Sequence, residues 1–147
     1  MYKHTGRFCI YYINKGRRSD RMNAKRVTFS TGILRRPNKT KFALVDVVNF
    51  NKKCSRRVTV QVFDWSTGSP IPLKVSPCNT KKCTVKVGSN KSVFLFADVS
   101  KVRFKYEVRI TQPNDRKLVT NVTGVTNAPF TPQEGDTVLQ RSLIRIK

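Results

Sequence analysis

The side chains able to do chemistry are few and scattered. The sequence has one histidine, His4, in a basic stretch with no acid beside it. Asp and Glu total 8, against 30 Lys and Arg. Asp46, Asp64 and Asp98 each fall near the end of an extended run, where an Asp side chain ordinarily serves a local backbone hydrogen bond. Glu134 and Asp136 fall in a loop and read as solvated turn residues. General acid–base catalysis needs titratable groups held within reach of one another, and no pair here is spaced for it. There is no Gly-rich phosphate loop and no serine nucleophile elbow. The inventory speaks against an enzyme and implies no cofactor. Trp65, after Asp64 at a strand end, reads as a core plug or a sheet-edge anchor.

The cysteines are Cys9, Cys54, Cys78 and Cys83, all candidates for disulfides. Four allow three pairings, and sequence does not choose among them. Cys78 and Cys83 bracket Asn79-Thr80-Lys81-Lys82, a turn between two strands. A structural zinc site would want a second closely spaced pair of ligands, which is missing. A disulfide within the turn and a disulfide between subunits both remain open, as do four unpaired thiols.

Charge is the strongest compositional signal. The 147 residues carry a net +22, and residues 1–41 alone carry +11. A dense basic arm ahead of a more balanced body is the pattern of a tail plus a folded unit. Residues 1–26 are read as a basic N-terminal arm or leader, and residues 27–147 as one domain. The apolar run Phe8-Cys9-Ile10-Tyr11-Tyr12-Ile13 is short for a secretion signal, and Asn14-Lys15-Gly16-Arg17-Arg18 follows where small residues should mark cleavage. A start of translation at Met22 is an alternative. No apolar run is long enough for a spanning helix.

The elements that must position any site are strands. Val58, Val60 and Val62 alternate with Thr59 and Gln61. Val102, Phe104, Tyr106, Val108 and Ile110 alternate with Arg103, Lys105, Glu107 and Arg109. Period-two runs recur at Leu44–Val48, Cys83–Val87, Val93–Phe96, Leu118–Val122 and Val138–Ile146. Turn signals separate them, among them Gln112-Pro113-Asn114-Asp115. Eight to ten short strands without a helix predict an all-β antiparallel sandwich. Two sheets then bury Val58, Val60, Val62, Phe104, Tyr106 and Val108 between them.

Two binding modes fit such a body. A sandwich has open edges, which accept a strand from another chain. Val27, Phe29, Ile33 and Leu34 lie on an extended segment ahead of the body and form a candidate assembly arm. The plainer expectation is that this segment pairs within its own domain. The alternative function is a basic nucleic-acid or polyanion-binding module using Arg103, Lys105, Arg109, Arg56, Arg57, Lys81 and Lys82. Aromatics that alternate against these charges would point away from them, which argues for core rather than a stacking platform.

The stretches Val45–Asn49, Arg57–Pro70, Ser92–Asp98 and Phe104–Arg109 give the chain a resemblance. It is similar to the small all-β spore-surface and endospore-appendage (Ena-like) proteins of endospore-forming bacteria, over roughly residues 27–147. The resemblance implies a jelly-roll-like sandwich, made in the mother cell without a signal peptide and deposited on the spore surface. It implies a structural subunit or anchor of a layer or fibre, with itself and other spore-surface proteins as partners. This chain departs from that family in its strong positive charge. It also has only Cys9 where the family carries a cysteine-bearing connector.

Overall fold

A computed structural model describes residues 25–147. The arm that precedes them, with His4, Cys9, Phe8–Ile13 and Met22, lies outside the described residues. The described chain forms twelve strands. They are β1 (Arg26–Ser30), β2 (Leu34–Arg35), β3 (Phe42–Asn49), β4 (Arg56–Asp64), β5 (Ile71–Leu73) and β6 (Val75–Ser76). There follow β7 (Cys83–Val87), β8 (Lys91–Asp98), β9 (Lys105–Pro113), β10 (Leu118–Val125), β11 (Pro132–Val138) and β12 (Ile144–Arg145). The only helical turn among them is a single 3₁₀ turn at Gln140–Ser142.

The strands make two antiparallel sheets. The first has the order β12-β1-β9-β4-β5, with β2 also on β9 and β7 also on β4. The second has the order β11-β10-β3-β8-β6. This is the all-β two-sheet sandwich that the alternation predicts. Val58, Val60 and Val62 of β4 meet Tyr106, Val108 and Ile110 of β9 and Val45, Val47, Leu95 and Ala97 of the other sheet in one core. Each of these side chains is almost completely removed from water. Burying a Val or Leu in this way is worth about 1.5–3 kcal/mol, so this layer is the main source of stability.

Two expected runs break. Phe104 is not a core residue: it is 51% exposed and precedes β9. Its N–H donates to Ser66 Oγ at 3.0 Å, and its carbonyl accepts from Arg36 N–H at 2.9 Å. These bonds hold residues 102–104 in a turn, and only Val102 still reaches the core. The run Val138–Ile146 is likewise interrupted. Ser142 N–H bonds Leu139 O at 2.8 Å, so the chain turns there, leaves the second sheet after β11 and joins the first as β12.

Asp136 is not a solvated loop residue either. It lies on β11 and is fully buried. The Tyr106 hydroxyl donates to Asp136 Oδ2 at 2.7 Å and the Thr40 hydroxyl at 3.3 Å. Asp136 Oδ1 has no hydrogen-bond partner. Burial raises the Asp136 carboxyl above its ordinary value, although the bonds from Tyr106 and Thr40 oppose the shift. Burial, with the bond to Asp136, drives the Tyr106 hydroxyl far above the ordinary phenol range.

Candidate assembly surface

The strand order decides which backbone groups are left for a partner. In the first sheet β1 is paired on both sides. Its residues Arg26–Ser30 pair with β9, and Phe29 and Ser30 also pair with β12. Leu34 and Arg35 of β2 pair with Tyr106 and Lys105. Val27 is fully buried, Leu34 is buried and Phe29 packs against the core. Of the four residues read as a candidate arm, Ile33 alone is largely exposed. These residues complete their own chain's sheet.

In the second sheet β11 is a poor template. It begins with Pro132, carries Glu134 and Gly135, and its register with β10 shifts between Thr123 and Val125. Proline, charge and bulges are the usual devices that blunt an edge. The other edge is different. Along one side β8 pairs with β3 over its whole length, from Lys91 opposite Asn49 to Asp98 opposite Phe42. On the other side only Phe96 and Ala97 are covered, by Ser76 and Val75 of β6. Among the described residues, no strand pairs with Lys91–Leu95 on that side.

The local bonds show which groups point there. Val99 N–H donates to Lys41 O at 2.8 Å, on the β3 side. Val75 donates to Thr80 O and accepts from Asn79 N–H, both at 2.8 Å, so its own groups turn away from β8. In an antiparallel ladder the bonding direction alternates along the strand. The odd-numbered residues of β8 therefore bond β3, and Ser92 and Phe94 aim their N–H and C=O at the uncovered edge.

The start of β8 is rigidly placed. Asn49, fully buried at the end of β3, donates through Nδ2 to Cys54 O at 2.7 Å and to Val87 O and Gly88 O at 3.2 Å. Its Oδ1 accepts from Asn51 N at 3.0 Å and Asn51 Nδ2 at 2.8 Å. Asn51 Nδ2 also reaches Asp115 Oδ2 at 2.8 Å, where Arg56 Nε donates at 2.8 Å too. Burial alone would raise the Asp115 carboxyl. The Lys117 N–H, Asn51 and Arg56 outweigh it and hold it below its ordinary value. Asn90 N–H closes on Asn51 O at 2.8 Å, pinning the β7–β8 turn.

The two outer faces differ in chemistry. On the first sheet Thr28, Thr111, Thr59 and Thr84 align across four strands. Thr28 and Thr111 hydroxyls bond at 2.9 Å, and Thr59 and Thr84 at 2.7 Å. Next to them, buried Glu107 accepts from Ser30 Oγ, from Trp65 Nε1 at 2.9 Å and from Arg109 Nε at 2.9 Å. Burial would raise its carboxyl, but the bonds from Arg109, Ser30 and Trp65 prevail and lower it. Trp65 thus clamps a polar network on the sheet's outer side.

The second sheet's outer face carries a row of aromatic rings. Phe94 stacks near Phe96 with centroids 6.2 Å apart, Phe96 meets Phe42 edge-on at 5.5 Å, and Phe42 meets Phe130 at 6.0 Å. Phe94 is 53% exposed. Asp46 stands directly across from it on β3, and partial burial raises the Asp46 carboxyl. A continuous apolar run such as Val93-Phe94-Leu95-Phe96 ordinarily marks a strand covered on both faces.

The cysteine turn is closed: Cys78 and Cys83 form a disulfide with Cα atoms 5.4 Å apart. Cys54 is disulfide-bonded as well, and Cys9 lies outside the described residues. Of the basic candidates, Arg56 and Arg57 lie on β4, Lys105 and Arg109 on β9, Arg103 just before β9, and Lys81 and Lys82 just before β7. Arg56 pairs with Asp115, and Arg109 pairs with Glu107 while lying 4.6 Å over the Phe63 ring. Arg103 lies over Phe104 at 5.3 Å, Lys105 is half-buried, and Arg57, Lys81 and Lys82 are exposed. Among the described residues no three His, Cys, Asp or Glu side chains cluster as metal ligands. No helix among them is long and apolar enough to cross a membrane. Asp64 and Asp98 accept from Ser66 N and Ser100 N at 2.8 Å, the local role expected of them.

No known family model matches the chain, and none of the curated proteins matches it.

Proposed function

We propose that this protein is a non-enzymatic structural subunit or anchor of a self-assembling surface layer or fibre, of the kind that coats bacterial endospores. The observation that carries the reading is the uncovered half of β8. Its backbone groups, unpaired among the described residues, lie beside an aromatic row whose end rings Phe94 and Phe130 are exposed, and unpaired edges with apolar surface beside them are typical sites of association. The resemblance to spore-surface and appendage proteins supports the same reading and supplies the location. Subunits join by edge-strand pairing.

Negative-stain imaging and sedimentation of the full chain test this function, at physiological and at raised salt. Salt screens the repulsion between copies that each carry +22. Ordered oligomers or filaments are expected. Monodisperse monomers under every condition contradict the proposal.

A further inference from the structure

We infer that β8 pairs with the β8 of a second copy, antiparallel and about a two-fold axis, with Val93 facing Val93 across the axis. This deepens the assembly reading above and rests on it.

The argument is one of length and register. Among the described residues, the uncovered segment of β8 runs from Lys91 to Leu95 and is bounded on both sides. Beyond it, β6 already occupies the edge at Phe96 and Ala97. Before it, Lys91 N–H turns back to Gly88 O at 3.2 Å. A long incoming strand would collide with β6 at one end or with the turn at the other. A second β8 is limited to the same five residues and so fits without collision.

Only one antiparallel register uses the whole segment. With Val93 opposite Val93, Ser92 falls opposite Phe94 of the second copy, and Phe94 opposite its Ser92. These are the two residues whose N–H and C=O face outward, so each pair exchanges two hydrogen bonds. All outward groups of the segment are then satisfied on both copies. Moving the axis to Phe94 would drive Ser92 onto Phe96, which β6 holds. Moving it to Ser92 would leave Phe94 opposite the turn residue Asn90. An isologous contact of this kind is self-complementary by symmetry, as the commonest oligomer interfaces are.

The side chains agree with the backbone. Ser92 and Phe94 lie on the outer face, and Ser92 is small enough to lie beside the Phe94 ring of the other copy. The two Phe94 rings become diagonal neighbours, within reach of one another. Each exposed ring thereby gains cover, and the aromatic row Phe130-Phe42-Phe96-Phe94 runs on into its copy. Lys91 sits at each end of the paired segment, away from the axis, so the two lysines do not oppose each other directly.

Engineered cysteines in the full chain read the register. Residues directly opposite in an antiparallel pair have Cβ atoms about 4.5–5.5 Å apart, close enough to be bridged with a small adjustment. Val93→Cys is expected to form a disulfide-linked dimer under mild oxidation. Because Val93 also packs on the core, a second set guards against misfolding. Ser92→Cys and Phe94→Cys, both on exposed residues, are expected to cross-link when mixed, and neither alone, because like residues are then diagonal, about 7–8 Å apart. Sedimentation of the wild type runs alongside. Association without either cross-link overturns this geometry and leaves assembly through another surface. Absence of association overturns the assembly reading, and this inference with it.

Discussion

Gly124 and Asp136 share one space. A Cβ on Gly124 would overlap the Asp136 carboxylate, which comes within hydrogen-bonding reach of Tyr106 and Thr40 only because that position is bare. The register shift of β10 against β11 falls between Thr123 and Val125, at this glycine. The Tyr106–Asp136 hydrogen bond ties β11 of one sheet to β9 of the other.

Gly124→Ala must therefore displace a buried carboxyl or the strand that carries it. The expected loss is at least about 2 kcal/mol, the scale of overpacking added to a broken buried hydrogen bond. Gly68→Ala is the control. Gly68 has φ +90° and nothing within 4 Å of a new Cβ, so only backbone strain applies, about 1 kcal/mol. Urea unfolding of both variants checks the difference. Equal midpoints would refute the Gly124–Asp136 contact.

Acid should weaken the fold through Glu107 and Asp115. Both carboxyls lie below their ordinary values of 4.5 and 3.8 in the folded state. A depressed folded value means that the stabilisation is present above the unfolded value and disappears as pH falls through the folded one. Asp136 has the opposite sign: raised, its contribution is full below 3.8 and declines as pH rises through its folded value. Glu107→Gln removes the charge that Arg109, Ser30 and Trp65 surround. It should cost about 1.5–3 kcal/mol at pH 7, the range for hydrogen bonds to a charged group. It should also flatten the loss of stability below pH 4.5. Melting temperatures from pH 2 to 8 check this, and an unchanged acid limb in the variant would count against it.

The Cys78–Cys83 bridge closes a tight loop within one chain, with a sequence separation of 5. For so short a loop the chain-entropy relation gives about 2 kcal/mol. Cys78→Ala with Cys83→Ala should lower stability by that amount, plus the packing lost at fully buried Cys83. The same double variant should still assemble, because this bridge joins no two subunits. Denaturation and sedimentation of the variant check both halves, and loss of assembly in a folded variant would contradict the second.

The alternation of Val58-Val60-Val62 and Tyr106-Val108-Ile110 was legible because each run has one polar and one apolar face, and period two reports that directly. Phe104 obeys the same period and still leaves the core. Its position depends on bonds to Ser66 and Arg36, residues distant in sequence. Asn49 and Glu107 were invisible as buried groups, since a polar letter in a strand reads as an outward one until its partners are known, and Asp136 was read as a loop residue because Pro132, Glu134 and Gly135 beside it carry turn chemistry. Which edge stays open is a property of strand order, set by pairings such as β6 on β8 across some twenty residues. The run Val93–Phe96 of β8 reads with the period-two strands, and which of its edges lacks a partner among the described residues shows only in the structure.

The most direct test of assembly through β8 is sedimentation velocity of the full chain against its Ser92→Pro variant. Among the described residues the Ser92 N–H points to the uncovered edge and serves no bond within the sheet, so proline is tolerated there as on other edge strands. The account predicts an assembling wild type and a folded, monomeric variant with an unchanged circular dichroism spectrum. A variant that assembles as well as the wild type would contradict it.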